Sequence, residues 1–102
     1  MVKHIVMWNI LGQGASEKKA NIEKVKTSFE SLKGKIPGML HLEVGVDHSA
    51  IDYACDVVLY TEFQTQADLD AYAVHPEHLK VRDALNGLRV SRHQVDYVVS
   101  TQ

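Results

Sequence analysis

Two stretches of this sequence are apolar on both of their faces, and that restricts the available folds more than any other feature. Residues 2–11 (VKHIVMWNIL) are rich in β-branched and aromatic side chains and read as a strand. Side chains alternate across a strand, so Val2, Val6, Trp8 and Ile10 fall on one face and Ile5, Met7 and Leu11 on the other. Residues 54–63 (ACDVVLYTEF) repeat the pattern, with Val57, Leu59 and Phe63 opposite Val58 and Tyr60. A sheet built on such strands has to be covered on both sides.

The intervening segments supply cover for one side only. Gly12-Gln13-Gly14 breaks the first strand, and Ser16 is placed to cap a helix. Its apolar positions, Ile22, Val25, Phe29, Leu32 and Ile36, follow the helical period. Gly34 marks the expected stop, and Pro37-Gly38 turns the chain. Residues 39–47 alternate as a strand, with Leu40, Leu42, Val44 and Val46 inward and His41, Glu43 and Asp47 outward. Thr65 and Asp68 are spaced as a capping box for a short helix carrying Leu69 and Tyr72. Pro76, flanked by His75, opens a further helix with His78, Val81, Leu85 and Leu88 on one face and Gly87 near its end. Residues 91–99 make the last strand.

The order is βαββαβ, with the second helical region in two pieces. This is an α+β, ferredoxin-like arrangement: a four-stranded antiparallel sheet with helices on one face. The other face needs a second cover. The simplest supplier is another copy of the same sheet, so a homodimer in the form of a dimeric α+β barrel is expected.

A length of 102 residues suits one domain, taken as 1–102. Thirteen acidic and 11 basic residues, intermixed to a net charge of −2, give no electrostatic reason for a nucleic-acid or membrane partner. Cys55, the single cysteine, allows no intrachain disulfide and reads as an inert thiol buried in a strand. The first residues lack a signal-peptide pattern, and no segment approaches the roughly 20 apolar residues of a membrane span. A cytoplasmic location is expected by default.

Three side chains stand out as an acid–base unit. His78 sits on the apolar stripe of its helix, and Asp96 has the strand parity opposite to Val95, Tyr97 and Val99. That parity points Asp96 toward the helices, where a carboxylate accepting from one imidazole nitrogen of His78 leaves the other basic. Such a nitrogen can take a proton from a carbon flanked by carbonyls, with Tyr72 donating to the developing oxyanion. The chemistry requires no metal or organic cofactor. The competing reading makes the same residues structural: a helix-start histidine, a buried hydrogen bond and a packed aromatic ring. His75 and His78 are three residues apart, which matches none of the usual zinc spacings, and Pro76 makes His75 a cap.

Four pieces, in this order and spanning the chain, resemble the stress-responsive A/B barrel (Dabb) family. They are Val2-Lys3-His4-Ile5-Val6, Ile36-Pro37-Gly38, Tyr72-x-x-His75-Pro76-x-His78 and Val95-Asp96-Tyr97. The resemblance implies the dimeric barrel but no single function, because the family includes stress-induced plant proteins and domains of unassigned activity. One plant member is a polyketide cyclase that closes a β-keto chain by aldol condensation. Carried over from it, the catalytic histidine falls on His78, the tyrosine on Tyr72, the orienting aspartate on Asp96 and a further pocket histidine on His4. The pocket lining implied here is His4, Val6, Trp8, Phe29, Val81 and Leu85. The sequence departs from the cyclase at Phe29, Lys80-Val81 and Arg89, which changes the pocket that selects substrate. The resemblance also implies a magnesium held by backbone carbonyls near Lys33, Ile36 and Met39.

Three classes of function stay open. The first is a cofactor-free cyclase or lyase acting on a β-keto, polyketide-like small molecule. The second is a non-catalytic stress-response or ligand-binding dimer. The third is a cofactor-independent monooxygenase, a class implied by another family with the same barrel and encouraged by Trp8 and Asn9.

Overall fold

The computed structural model describes residues 1–99 and gives the order β1 (Val2–Ile10), α1 (Ala15–Glu30), β2 (Met39–Val46), β3 (Val57–Phe63), α2 (Gln66–Ala73), α3 (Pro76–Ala84) and β4 (Arg89–Val98). The four strands form one antiparallel sheet in the order β2-β3-β1-β4. The two doubly apolar strands, β1 and β3, are thus the central pair, as their composition demands. The chain has the ferredoxin-like βαββαβ fold.

Strand parity sorts the sheet cleanly. On the helix-covered face Val2, His4, Val6, Trp8 and Ile10 of β1 are buried, as are Val57, Leu59, Thr61 and Phe63 of β3. They pack against Val25, Phe29 and Leu32 from α1 and the segment after it, with Leu69, Tyr72, Val81 and Leu85 from the second helical region. The Trp8 and Phe29 rings stack at 5.0 Å across this layer. On the opposite face Ile5, Met7, Val58 and Tyr60 are only half-buried, and Val95 and Tyr97 of β4 are 49% and 45% exposed. The register aligns them: Ile5 lies between Tyr60 and Val95, and Met7 between Val58 and His93.

Several local expectations are corrected. Helix α1 starts at Ala15 behind Gly14, which has φ 83°, and Ser16 makes no capping bond. Its regular part stops at Glu30, and turns carry the chain through residues 31–35 to the buried Ile36. In β2 the inward set shrinks to Leu42 and Val44. A register shift between Met39 and His41 throws Leu40 out of the ladder, leaving it 54% exposed, and Val46 at the far end is exposed too. Cys55 is half-buried and precedes β3 instead of lying within it.

The capping signals, by contrast, are realised. The Thr65 hydroxyl accepts from the Asp68 N–H at 3.1 Å and donates to the Asp68 carboxylate. His75 caps α3 by accepting from the Glu77 N–H through Nδ1 at 3.1 Å, with Pro76 in the first turn. Gly38, at φ 78°, faces Asp68 so closely that a Cβ would lie 2.2 Å from its carboxyl carbon. The Pro37-Gly38 turn and the α2 cap are therefore packed as one unit. Among the described residues, no helix is long and apolar enough to cross a membrane.

Candidate active site

A cavity of about 540 Å³ opens between the helix-facing side of β1 and β4 and the second helical region. His4 comes from the middle of β1, where the Thr61 hydroxyl of β3 donates to its carbonyl oxygen at 2.9 Å and fixes the backbone. Directly across the other ladder, His4 pairs with Asp96 of β4. Their side chains meet: His4 Nδ1 lies 2.6 Å from Asp96 Oδ1. A carboxylate only accepts, so Nδ1 carries a proton, and in the neutral ring it is Nε2 that holds the lone pair. The second oxygen of Asp96 accepts from the Gln94 amide at 2.9 Å, which holds the carboxylate in place.

Tyr72 projects from α2 next to this pair. Its ring centroid is 6.1 Å from that of His4, edge-on, and 4.3 Å from that of His78. The Tyr72 hydroxyl is buried and has no hydrogen-bond partner among the described residues. Burial pushes its pKa well above the ordinary tyrosine value, partly offset by Arg92 and Arg89, so the phenol stays protonated.

His78, in the first turn of α3, is anchored differently. Its Nδ1 lies 3.2 Å from the Ala73 carbonyl oxygen, which can only accept, so the proton again sits on Nδ1 and Nε2 is free. Burial lowers the His78 pKa below the ordinary histidine value. The Ala73 bond partly offsets this, while Arg82, His4 and Arg89 lower it further. His78 is therefore neutral at pH 7.

The structure brings His78, Tyr72 and Asp96 around one region, lining a smaller hollow together with His4. It does not pair His78 with Asp96. The aspartate is taken by His4, its direct cross-strand neighbour, and His78 turns to the backbone of the preceding helix. Of the expected lining residues, His4, Val6, Trp8 and Phe29 border the main cavity. Val81 and Leu85 do not; both are buried in the core. The stripe of α3 that meets the cavity is one residue round, at His78 and Arg82. The lining residues that escaped the sequence reading include the polar Arg82, Arg92 and Ser91. Arg89 drew notice only as a departure from the cyclase, although its guanidinium lies 5.5 Å from the centre of the Trp8 ring. Simple alternation would have split Arg89 from Arg92, which are three residues apart; the register shift between Asn9 and Ile10 sets both opposite helix-facing residues of β1.

Metal chemistry finds little here to build on. Among the described residues, no three His, Cys, Asp or Glu side chains gather as ligands. His75 is committed to capping α3. Near Lys33, Ile36 and Met39, where a carbonyl-held magnesium was expected, the hollow is lined by Lys33, Gly34, Met39, Leu40, His41 and Leu42 without a carboxylate, and the Ile36 carbonyl accepts from the Met39 N–H at 3.3 Å.

Residues 2–99 match the family model of the Stress responsive A/B Barrel Domain, Dabb. The chain belongs to this family. Against the Dabb protein DABB1 of Arabidopsis thaliana, described as stress-response A/B barrel domain-containing, it is 28% identical over 101 residues. That match covers 96% of this chain and 47% of the relative, so the Dabb chain spans about half the relative's length. A dimeric protein of ferredoxin-like fold from Bacteroides fragilis superimposes with a TM-score of 0.83 at 33% identity, covering 94% of this chain and 93% of that one. A hydroxynitrile lyase from Passiflora edulis shares the Dabb chain's fold at 16% identity, with a TM-score of 0.80 over 99% of this chain and 94% of its own.

Proposed function

We propose that this Dabb chain is a homodimeric lyase or cyclase that moves a proton at a carbon next to a carbonyl in a β-keto small molecule. The observation that carries the reading is the 2.6 Å His4–Asp96 pair beside the unpartnered, protonated Tyr72 hydroxyl. His4 Nε2 removes the carbon proton, and the imidazolium so formed is stabilised by the carboxylate on its other nitrogen. Tyr72 donates to the enolate oxygen. The enolate carbon then attacks a second carbonyl, and the proton held on His4 passes to the new alkoxide; the reverse sequence cleaves the same bond.

This assignment moves the base from His78 to His4. An imidazolium at His78 faces Arg82, Arg89 and His4 with only a backbone carbonyl beside it. Neutral His78 suits a different role, accepting a hydrogen bond from a substrate hydroxyl through Nε2. That a hydroxynitrile lyase uses the same fold supports housing lyase chemistry on this scaffold.

Deuterium exchange at the carbon next to the carbonyl reads the first step without knowledge of the product. In a panel of small ketones and β-keto thioesters, the parent protein is expected to accelerate exchange over buffer, and His4→Ala to abolish the acceleration. If the parent accelerates exchange with no member of the panel, the pair is a buried structural hydrogen bond and the ligand-binding dimer is the better description.

A further inference from the structure

The cavity that holds the proposed acid–base chemistry is lined by donors of one sign. Arg82 from α3 and Arg89 and Arg92 from β4 all border it, and no Asp or Glu does. Among the described residues, none of the three arginines has a carboxylate within salt-bridge distance, although Lys18, Lys26 and Lys80 elsewhere each have one. The chain as a whole is slightly acidic, at −2, so this concentration of positive charge is local. Arg89 lies half-buried against the Trp8 ring, and its charge is disfavoured first by burial and then by Arg92 and Arg82. Arg92 also borders the adjoining smaller hollow with Asp70 and Asp96, but in the main cavity the guanidiniums meet no carboxylate, and an incoming anion would relieve their mutual repulsion.

A second observation points the same way. The Trp8 Nε1–H and the Tyr72 hydroxyl are both buried without partners among the described residues, and both residues line this cavity. Unpaired buried donors destabilise the fold unless something accepts from them. Three arginines line the cavity, and an indole N–H and a phenol without partners lie buried in its wall. A neutral ketone uses few of them; an oxyanion next to a carbonyl uses most.

We infer that the ligand of this cavity is a small carbonyl compound carrying an oxyanion, a carboxylate or a phosphate, which Arg89 and Arg92 hold with Arg82 at the rim. The inference takes the proposed catalytic cavity as the binding site but concerns recognition, which is measurable without turnover.

Trp8 is the only tryptophan, so its indole N–H gives one identifiable proton–nitrogen NMR signal inside the cavity. Acetoacetate, its neutral methyl ester and inorganic phosphate are titrated against the parent protein. The expected result is a saturable shift of the Trp8 signal with acetoacetate, phosphate or both, and at least tenfold weaker binding of the ester. Arg92→Gln and Arg82→Gln, both at exposed positions, are expected to weaken anion binding several-fold each, whereas Lys19→Gln on α1 leaves it unchanged. Arg89→Lys, which keeps the charge, should retain part of the affinity. A response to phosphate alone assigns a phosphorylated ligand, and a response to acetoacetate alone a carboxylate. Equal binding of ester and acid, no response to either anion, or arginine variants that bind like the parent overturn the inference. Anion binding without proton exchange refutes the catalytic proposal and leaves this one standing. A larger acceleration over buffer for the neutral ester than for the acid does the reverse.

Discussion

His4 and Asp96 face each other directly across the β1–β4 ladder, and their side chains close to 2.6 Å on the helix-covered side of the sheet. The pair is therefore set by strand register, which slips only in whole-residue steps that would flip each side chain to the other face. Asp96→Asn is expected to cost only about 1 kcal/mol of stability, because the carboxylate is partly exposed. Its effect on function should be larger. An amide can donate to Nδ1 and move the imidazole proton to Nε2, where the ring is no longer a base toward substrate. Nitrogen chemical shifts of His4 should report that change of tautomer, with exchange activity falling by about 100-fold or more.

His78 supplies a pH signature of opposite character. Burial leads the causes that lower its pKa in the folded chain, so the unfolded chain binds more protons between that value and about 6.5. Stability tied to neutral His78 is present above about pH 6.5 and is lost as pH falls through that value toward the folded pKa. Urea midpoints taken across this range should decline less in His78→Gln than in the parent. Equal declines would assign the acid sensitivity to other groups.

The uncovered sheet face makes a prediction about assembly. Ile5 sits between Tyr60 and Val95 there, half-buried in the isolated chain, while Val57 is on the helix side and buried. The parent should sediment at about twice the chain mass at micromolar concentration. Ile5→Asp should dissociate it while a folded chromophore signal persists, since the new charge can reach water in the monomer. Val57→Asp should unfold the chain instead, because a buried unpaired charge costs several kcal/mol. A parent that sediments as a monomer refutes the dimer.

The sequence made these faces legible because alternation and parity are local properties. The parity of Asp96 correctly put it on the helix side, and the Thr65, His75 and Pro76 signals correctly located α2 and α3. Partner choice was not legible in the same way. Asp96 had two histidines within reach of its face, and only the β1–β4 register, a long-range property, decides for His4 over His78. Leu40 failed for a related reason: the irregularity between Met39 and His41 breaks the alternation, and nothing in the residue types announces it. The arginines were hidden by their ordinariness. Arg82, Arg89 and Arg92 are spread over two elements, and they converge only on the folded cavity, with the register shift between Asn9 and Ile10 setting Arg89 beside Arg92.

Tyr72 offers the sharpest separation of a functional from a structural site. Its ring packs between His4, Phe63 and His78, but its hydroxyl is buried with no partner among the described residues. A tyrosine kept for stability would lose little by surrendering such a group. Tyr72→Phe preserves the ring and removes the orphaned donor, so stability should stay constant or rise by up to about 1 kcal/mol. If the hydroxyl donates to the enolate oxygen, the same change should slow α-carbon exchange by about 10- to 1,000-fold, the range associated with loss of a single oxyanion donor at its upper end. Thermal unfolding and deuterium exchange measured on one preparation decide the matter. A more stable but slower variant is the signature of a donor retained for chemistry at the expense of stability. A variant that loses stability and keeps its rate would mean that the hydroxyl finds a structural partner, such as an ordered water, and that the oxyanion is held by the arginines alone.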